Sequence, residues 1–376
     1  MATPPHLRPG AVLLAAQAGR TVASPSIDWD GVGVLAERYR LGGLVWSVYN
    51  RLGPPPSELA RFEGAHACQA LVADTLMGEL AAVRESLSGN GIPVWVIKGG
   101  ALIEAGAYEG GERALDDVDV VIPEALAGRA IRALTDAGFR SWHPSPEETV
   151  GWADSATFAV RDPSLPFDVS IDLHWRLQYD ALRYGPGNGG STTEWMANSG
   201  HPPPEAHLVL CLEHVLKHLR YRLHAVGFGD AIRLARRVAD WSSFDRWLAG
   251  SRLRRPALTL LIAILDEAGE VLDIPGSLHD QADPSLLESL RPSHLFDRRR
   301  PRMTPMGGLA HRWRLGGPSA VVADVRSAAF PPKAWLAARY GFSGGETRAR
   351  MWAQHAGRLL GWGTGLGKSP LSPNQD

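Results

Sequence analysis

An acidic segment at 116–121, Asp-Asp-Val-Asp-Val-Val, leaves this part of the chain few ways to fold. Successive side chains of a β-strand point to opposite faces, so Asp117 and Asp119 share one face while Val118 and Val120 share the other. The segment therefore predicts a strand that buries its valines and presents two carboxylates. Two such carboxylates can hold divalent cations, although an isolated Asp-x-Asp also occurs as two solvated acids at a strand end.

A second segment, 168–175, shows the same two-residue period. Asp168, Ser170, Asp172 and His174 lie on its polar face. If this strand pairs beside the first with polar faces aligned, Asp172 completes a carboxylate triad and can accept a proton while sharing a metal ion. The alternative is a half-exposed edge strand. In either case, His174 could orient Asp172, contact a substrate or serve as a hydrogen-bonded structural residue.

The turn Lys98-Gly99-Gly100 lies between a predicted strand at 92–97 and a predicted helix at 101–107. Backbone amides of such a turn can bind an anion, and Lys98 can meet a triphosphate as a point charge. Most Gly-Gly turns only reverse the chain. The turn is not a Walker A loop, because it lacks that motif's glycine spacing and its Lys-Ser/Thr pair.

The remaining patterns predict an α+β protein. A long helix is expected over 57–87, a helix over 124–137, and strands over 118–122, 156–161 and 167–177. Helical periodicity dominates after 204. The predicted division is an N-terminal helical segment (1–56), a catalytic domain (57–183), a linker (184–203), a helical C-terminal domain (204–362) and a disordered tail (363–376).

Composition excludes several classes of protein. Hydrophobic residues make up 44% and charged residues 21%, with no apolar run long enough to cross a bilayer. Lys+Arg 39 against Asp+Glu 40 provides no overall positive field for nucleic acid or an anionic membrane. Two cysteines cannot form a disulfide framework, and the N-terminus does not have the pattern of a secretory signal, so we expect a cytoplasmic protein.

Five segments together resemble the uncharacterised nucleotidyltransferase family of the polymerase-β-like superfamily. They are 96–102, Arg113, 117–121, 137–140 and 171–176. The resemblance extends over most of 60–345 and implies a small mixed sheet with flanking helices. The superfamily usually has Gly-Ser in the turn where this chain has Lys-Gly-Gly, and Glu is commoner than Asp at position 172.

The resemblance also implies roles for individual residues. Asp117, Asp119 and Asp172 would bind Mg²⁺ or Mn²⁺ and act in catalysis, and the nucleotide triphosphate would contact Lys98, Gly99, Gly100 and Arg113. The implied reaction moves a nucleoside monophosphate to an acceptor hydroxyl with loss of pyrophosphate. The acceptor could be a small molecule, a peptide or protein, or an RNA end such as that of tRNA. The alternative is a catalytically inactive nucleotide-binding or partner-binding module.

Other polar residues have more than one interpretation. His214 and His218 stand four residues apart on a predicted helix, where they could hold a metal ion, contact the acceptor or pack against the catalytic domain. No His-Glu-x-x-His motif accompanies them. A local basic group is either a solvated face or an anion site; it comprises Lys217, Arg220, Arg222, Arg233, Arg236 and Arg237. Asp230 is predicted to cap a helix that begins at Ala231.

Overall fold

The computed structural model describes residues 8–22, 27–50, 56–141, 150, 154–160, 169–177, 201–219, 223–251, 253–297, 350, 351 and 353. Several predictions lie outside these residues: most of the linker, the start of the strand at 167–177, the C-terminal part of the helical domain and the tail. No helix in the described part of the chain is long and apolar enough to cross a membrane.

In the described part of the chain, four helices precede the sheet. They are α1 (Pro9–Gln17), α2 (Trp29–Arg38), α3 (Gly42–Tyr49) and α4 (Pro56–Gly89). The long helix predicted over 57–87 is confirmed as α4, whose sequence has no internal proline to interrupt the backbone hydrogen bonds.

One face of α4 covers the sheet. Leu76, Leu80, Val83 and Leu87 recur at intervals of three or four residues and are buried. Leu71 of the same helix is 52% exposed. Its five-residue interval to Leu76 turns it away from the buried face, because a helix repeats every 3.6 residues.

A five-stranded mixed sheet follows, with the strand order β1-β2-β5-β4-β3. The strands are β1 (Trp95–Val96), β2 (Val118–Val121), β3 (Arg140–Ser141), β4 (Ser155–Val160) and β5 (Val169–His174). Strands β2 and β5 pair in parallel and the other neighbours pair antiparallel. The connecting helices are α5 (Lys98–Glu104), a 3₁₀ turn (Glu124–Leu126) and α6 (Ala127–Asp136). The mixed sheet with flanking helices agrees with the predicted α+β class.

Strand β1 is shorter than the predicted 92–97 because Pro93 has no amide hydrogen to donate to a neighbouring strand. The Ile97 amide still donates to the Asp119 carbonyl oxygen at 3.1 Å. Helix α5 begins directly afterwards at Lys98, three residues before its predicted start. The turn is therefore joined to the acidic strand by a backbone hydrogen bond.

The described residues between 201 and 297 contain helices and no strand. These helices are α7 (Pro204–His218), α8 (Val226–Ala235), α9 (Trp241–Ala249), α10 (Arg254–Ala268), α11 (Gly276–His279), α12 (Pro284–Leu290) and α13 (Pro292–Asp297). We call this set, together with α1–α3, the helical region.

One hydrophobic core lies on each face of the sheet. Val12 of α1, Phe228 of α8 and Leu261 of α10 belong to one core, which the first 50 residues share with α7–α13. Val118 and Val120 belong to the other, with the buried face of α4 and with α6. The N-terminal helices therefore pack with helices more than 150 residues later in the chain, and the polar face of the sheet is turned towards that region.

Candidate active site

The two acidic strands are hydrogen-bonded neighbours. In the parallel pairing of β2 with β5, Asp119 lies beside Asp172 and Val121 beside His174. Val118 and Val120 are fully buried on the opposite face. The register aligns the two polar faces, so the side chains of Asp119, Asp172 and His174 come together.

Asp119 is the most enclosed carboxylate of this group, with a side chain 7% exposed. Its Oδ1 accepts a hydrogen bond from Lys98 Nζ at 2.5 Å and lies 2.8 Å from His174 Nε2. Burial acts to raise the pKa of Asp119, but Lys98 and His174 outweigh it and hold the pKa below its usual range. Asp119 is therefore an anion inside the protein.

The other two carboxylates lie around Asp119. Asp172 Oδ1 accepts a hydrogen bond from Thr157 Oγ1 at 2.6 Å, across the β4–β5 pair. Asp117 precedes β2, and burial raises its pKa to about 7, with further contributions from the negative charges of Asp119 and Asp172. Mutual repulsion of this kind is what a bound cation relieves.

The donor set fits a divalent metal ion. Ligand atoms of Asp119, Asp172 and His174 all lie within 4.8 Å of one another. Carboxylate oxygens suit Mg²⁺ and Mn²⁺, and imidazole is a ligand of transition metals. Sequence reasoning assigned the metal to Asp117, Asp119 and Asp172, whereas this cluster contains His174, which had been expected only as an accessory residue.

Lys98 has an unusual backbone conformation. Its φ of 54° lies in the left-handed region, which is uncommon for a residue with a side chain. The ammonium contact with Asp119 and a hydrogen bond between the backbone of Lys98 and the buried His207 of α7 hold it there. This conformation directs the Lys98 side chain to the acidic face of the sheet.

The two glycines after Lys98 are explained by packing. A Cβ at Gly99 would overlap the guanidinium group of Arg113, and one at Gly100 would lie 3.0 Å from methyl groups of Val96 and Val118. Close approach to other protein groups is therefore sufficient to require glycine at both positions. Whether their amides also contact a nucleotide stays a prediction.

Arg113, predicted to contact phosphates, forms a buried bidentate ion pair with Asp230. Its Nε donates to Asp230 Oδ1 at 3.0 Å and its Nη2 to Oδ2 at 2.8 Å, while Tyr108 Oη donates to Oδ1 at 2.7 Å. The prediction that Asp230 caps a helix is wrong, because Asp230 lies inside α8. The pair joins the helical region to the loop that supports the Lys98 turn.

The basic group predicted near 217–237 is largely engaged in internal contacts. Arg233 donates to the carbonyl oxygens of Gln17 and Ala107, and Arg236 donates to Ala18 and pairs with Glu270. These arginines complete the last turn of α1, whose final carbonyls have no partner within the helix. Arg220 and Arg222 lie outside the described residues.

A cleft of about 670 Å³ separates the polar face of the sheet from the helical region. Asp117, Asp119, Asp172 and Lys98 line its sheet side. The opposite side is lined by four residues that recur at helical spacing in α7, namely Cys211, His214, Lys217 and His218. His224, which follows α7 in the chain, lines the same side.

Sequence reasoning missed His207, His224, Tyr108 and the role of Asp230. Tyr108 and Asp230 are 122 residues apart in the chain, so no local pattern could have paired them. His224 falls outside the periodicity that identified His214 and His218. Only the packing of α7 and α8 against the sheet brings these residues to the site.

The fold and the site together define a protein with a carboxylate cluster suited to a divalent cation at the base of a ligand-sized cleft. The family model described as "Uncharacterised nucleotidyltransferase" matches residues 25–264, well over half of the chain, so the chain belongs to this family. The resemblance to this family noted from the sequence is thus confirmed, and the match begins before the expected residue 60 and ends at 264, before the expected 345. No curated protein and no solved structure matches the chain.

Proposed function

We propose that this chain is a divalent-metal-dependent nucleotidyltransferase. It would transfer a nucleoside monophosphate from a nucleoside triphosphate to a hydroxyl group of an acceptor and release pyrophosphate. The pairing of Asp119 with Asp172 at the base of the cleft carries the proposal, and the family match supports it. Phosphoryl transfer depends on positioning and charge neutralisation, which this arrangement is suited to provide.

Each residue of the sheet side has a proposed role. Asp119, Asp172 and His174 would hold the cation with Asp117 beside them, and a bound divalent cation neutralises phosphate oxygens. Lys98 would bind phosphate oxygens of the leaving pyrophosphate. Arg113 would position the turn through Gly99 and would not bind phosphate itself, because Asp230 already pairs with its guanidinium group.

Asp172 is the proposed proton acceptor. The acceptor oxygen bonds to the α-phosphorus while its proton passes to the Asp172 carboxylate, and the bond from the α-phosphorus to pyrophosphate breaks. Asp172 suits this role because its side chain is half-buried at the cleft and Thr157 orients the carboxylate by a hydrogen bond.

The test is transfer of label from each α-³²P nucleoside triphosphate to candidate acceptors with Mg²⁺ or Mn²⁺, alongside pyrophosphate release. We expect metal-dependent transfer that Asp119→Asn loses and that the control Asp136→Asn retains, since Asp136 is an exposed residue of α6 outside the cleft. Calorimetric titration with each triphosphate separates binding from chemistry. Nucleotide binding without transfer to any acceptor would instead support the non-catalytic alternative.

A further inference from the structure

The helical side of the cleft carries a concentration of basic and imidazole groups that the proposed chemistry does not use. His214, Lys217 and His218 lie on one face of α7 at intervals of three and four residues, and His224 joins them from the segment before α8. The ring centroid of His214 lies 4.4 Å from that of His218 and 4.6 Å from that of His224. We call these four residues the imidazole wall.

Acidic side chains also line the cleft. Asp116 forms an ion pair with Arg40, and Asp230 pairs with Arg113. Asp117, Asp119 and Asp172 form the cluster on the sheet. Of these carboxylates, Asp230 also interacts with His224 of the imidazole wall, whose positive charge helps to lower the pKa of Asp230.

The imidazole wall combines imidazole rings with one ammonium group on the side of the cleft that faces the acidic strands. Burial lowers the pKa of His214 well below its usual value, and the positive charges of Lys98, its two neighbouring histidines and Lys217 lower it further. A neutral imidazole still offers an N–H donor, and Lys217 supplies a full positive charge. Clustered N–H donors beside an ammonium group are the chemistry that binds an oxyanion.

We infer that the imidazole wall binds an anionic group of the acceptor, of the phosphate class. The inference rests on the proposed function, in which the nucleotide phosphates lie on the sheet side with Asp119, Asp172 and Lys98. An acceptor hydroxyl must then reach the α-phosphorus while the rest of the molecule faces the helical side. A hydroxylated acceptor that also carries a phosphate group would satisfy both sides of the cleft.

Titration with inorganic phosphate tests this inference without knowledge of the acceptor. The protein, labelled with ¹³C in its histidine rings, is saturated with Mg²⁺ and a non-hydrolysable α,β-methylene triphosphate before phosphate is added. We expect ring resonances of the imidazole wall to shift. Lys217→Gln and His218→Gln should each raise the phosphate Kd roughly tenfold or more, and His279→Gln, an exposed residue of α11, should not change it.

The outcomes separate the two sources of a bound anion. An acceptor site is supported if phosphate binds while the analogue is bound and if phosphate binding is weaker in the Lys217 and His218 variants. Displacement of phosphate by the analogue would assign the wall to the nucleotide triphosphate and overturn the inference, as would the absence of any shift. Asp119→Asn protein titrated without analogue should still bind phosphate, so loss of the proposed transfer activity would not obscure the result.

Discussion

The residues on the two sides of the cleft are brought into place by different kinds of contact. On the sheet side, Asp119, Asp172 and His174 come from strands whose alternating pattern already places each polar residue on the same face. On the helical side, His207, His224 and Asp230 reach the site only because α7 and α8 pack against the sheet. The difference shows that the acidic groups of the cleft follow from a local repeat, while the groups that position them depend on long-range contacts.

The largest expected effect tests the sheet side. Asp172→Asn removes the proposed proton acceptor and a metal ligand while it keeps a side chain that Thr157 can reach, so the fold should persist. We expect nucleotide transfer to fall about a thousandfold, in line with the contribution of a general base. Steady-state kinetics measures this, with Asp136→Asn as the matched control. A rate within threefold of the parent would remove Asp172 from the mechanism.

The next effect tests the junction between the two sides. Asp230→Asn leaves the buried Arg113 without its counter-charge, and we expect the free energy of unfolding to drop by about 3–5 kcal/mol. Urea denaturation measures the change. A double variant, Arg113→Met with Asp230→Leu, should recover part of the loss because it removes both charges. If the single and double variants are equally unstable, the ion pair is not the source of the effect.

A pH experiment examines the buried His207 of the helical side. Burial lowers the pKa of His207 to about 4, so the unfolded chain binds a proton there at a higher pH than the folded protein does. The contribution of the neutral, buried His207 to the free energy of unfolding is therefore fully present above about pH 6.5 and is lost as the pH falls towards 4.

We expect His207→Gln to make the melting temperature less dependent on pH within this window, as measured by calorimetry at several pH values. The slope should decrease without disappearing, because burial also lowers the pKa of His214. The exposed His279→Gln serves as the control. Identical slopes in the parent and His207→Gln proteins would contradict the buried neutral state of His207.

The smallest effect concerns the turn where the two sides meet. Gly99→Ala places a methyl group against the Arg113 guanidinium, and we expect a loss of about 1–3 kcal/mol in the free energy of unfolding. Gly78→Ala, at an exposed site of α4 with open space around it, should instead stabilise the protein by roughly 1 kcal/mol. Equal effects at the two sites would show that Gly99 is not required by packing.

Several features were predictable because they depend on short intervals in the chain. The period of two in 117–121 and 168–175 identified both acidic strands, and the uninterrupted segment after 56 identified α4. Errors arose where tertiary contacts override local signals. Asp230 has the character of a helix cap, yet Arg113 and Tyr108 hold it in the interior of α8.

The chain order of the acidic strands and their buried and polar faces follow from residue spacing, because side-chain direction in a strand is set locally. The resemblance to a nucleotidyltransferase family was visible in the sequence motifs themselves. The parallel register that joins Asp119 to Asp172, the left-handed conformation of Lys98 and the pairing of Arg113 with Asp230 do not follow from residue spacing. These depend on contacts between residues from 21 to 117 positions apart, for which the energy comes from burial of the two cores and not from any local preference.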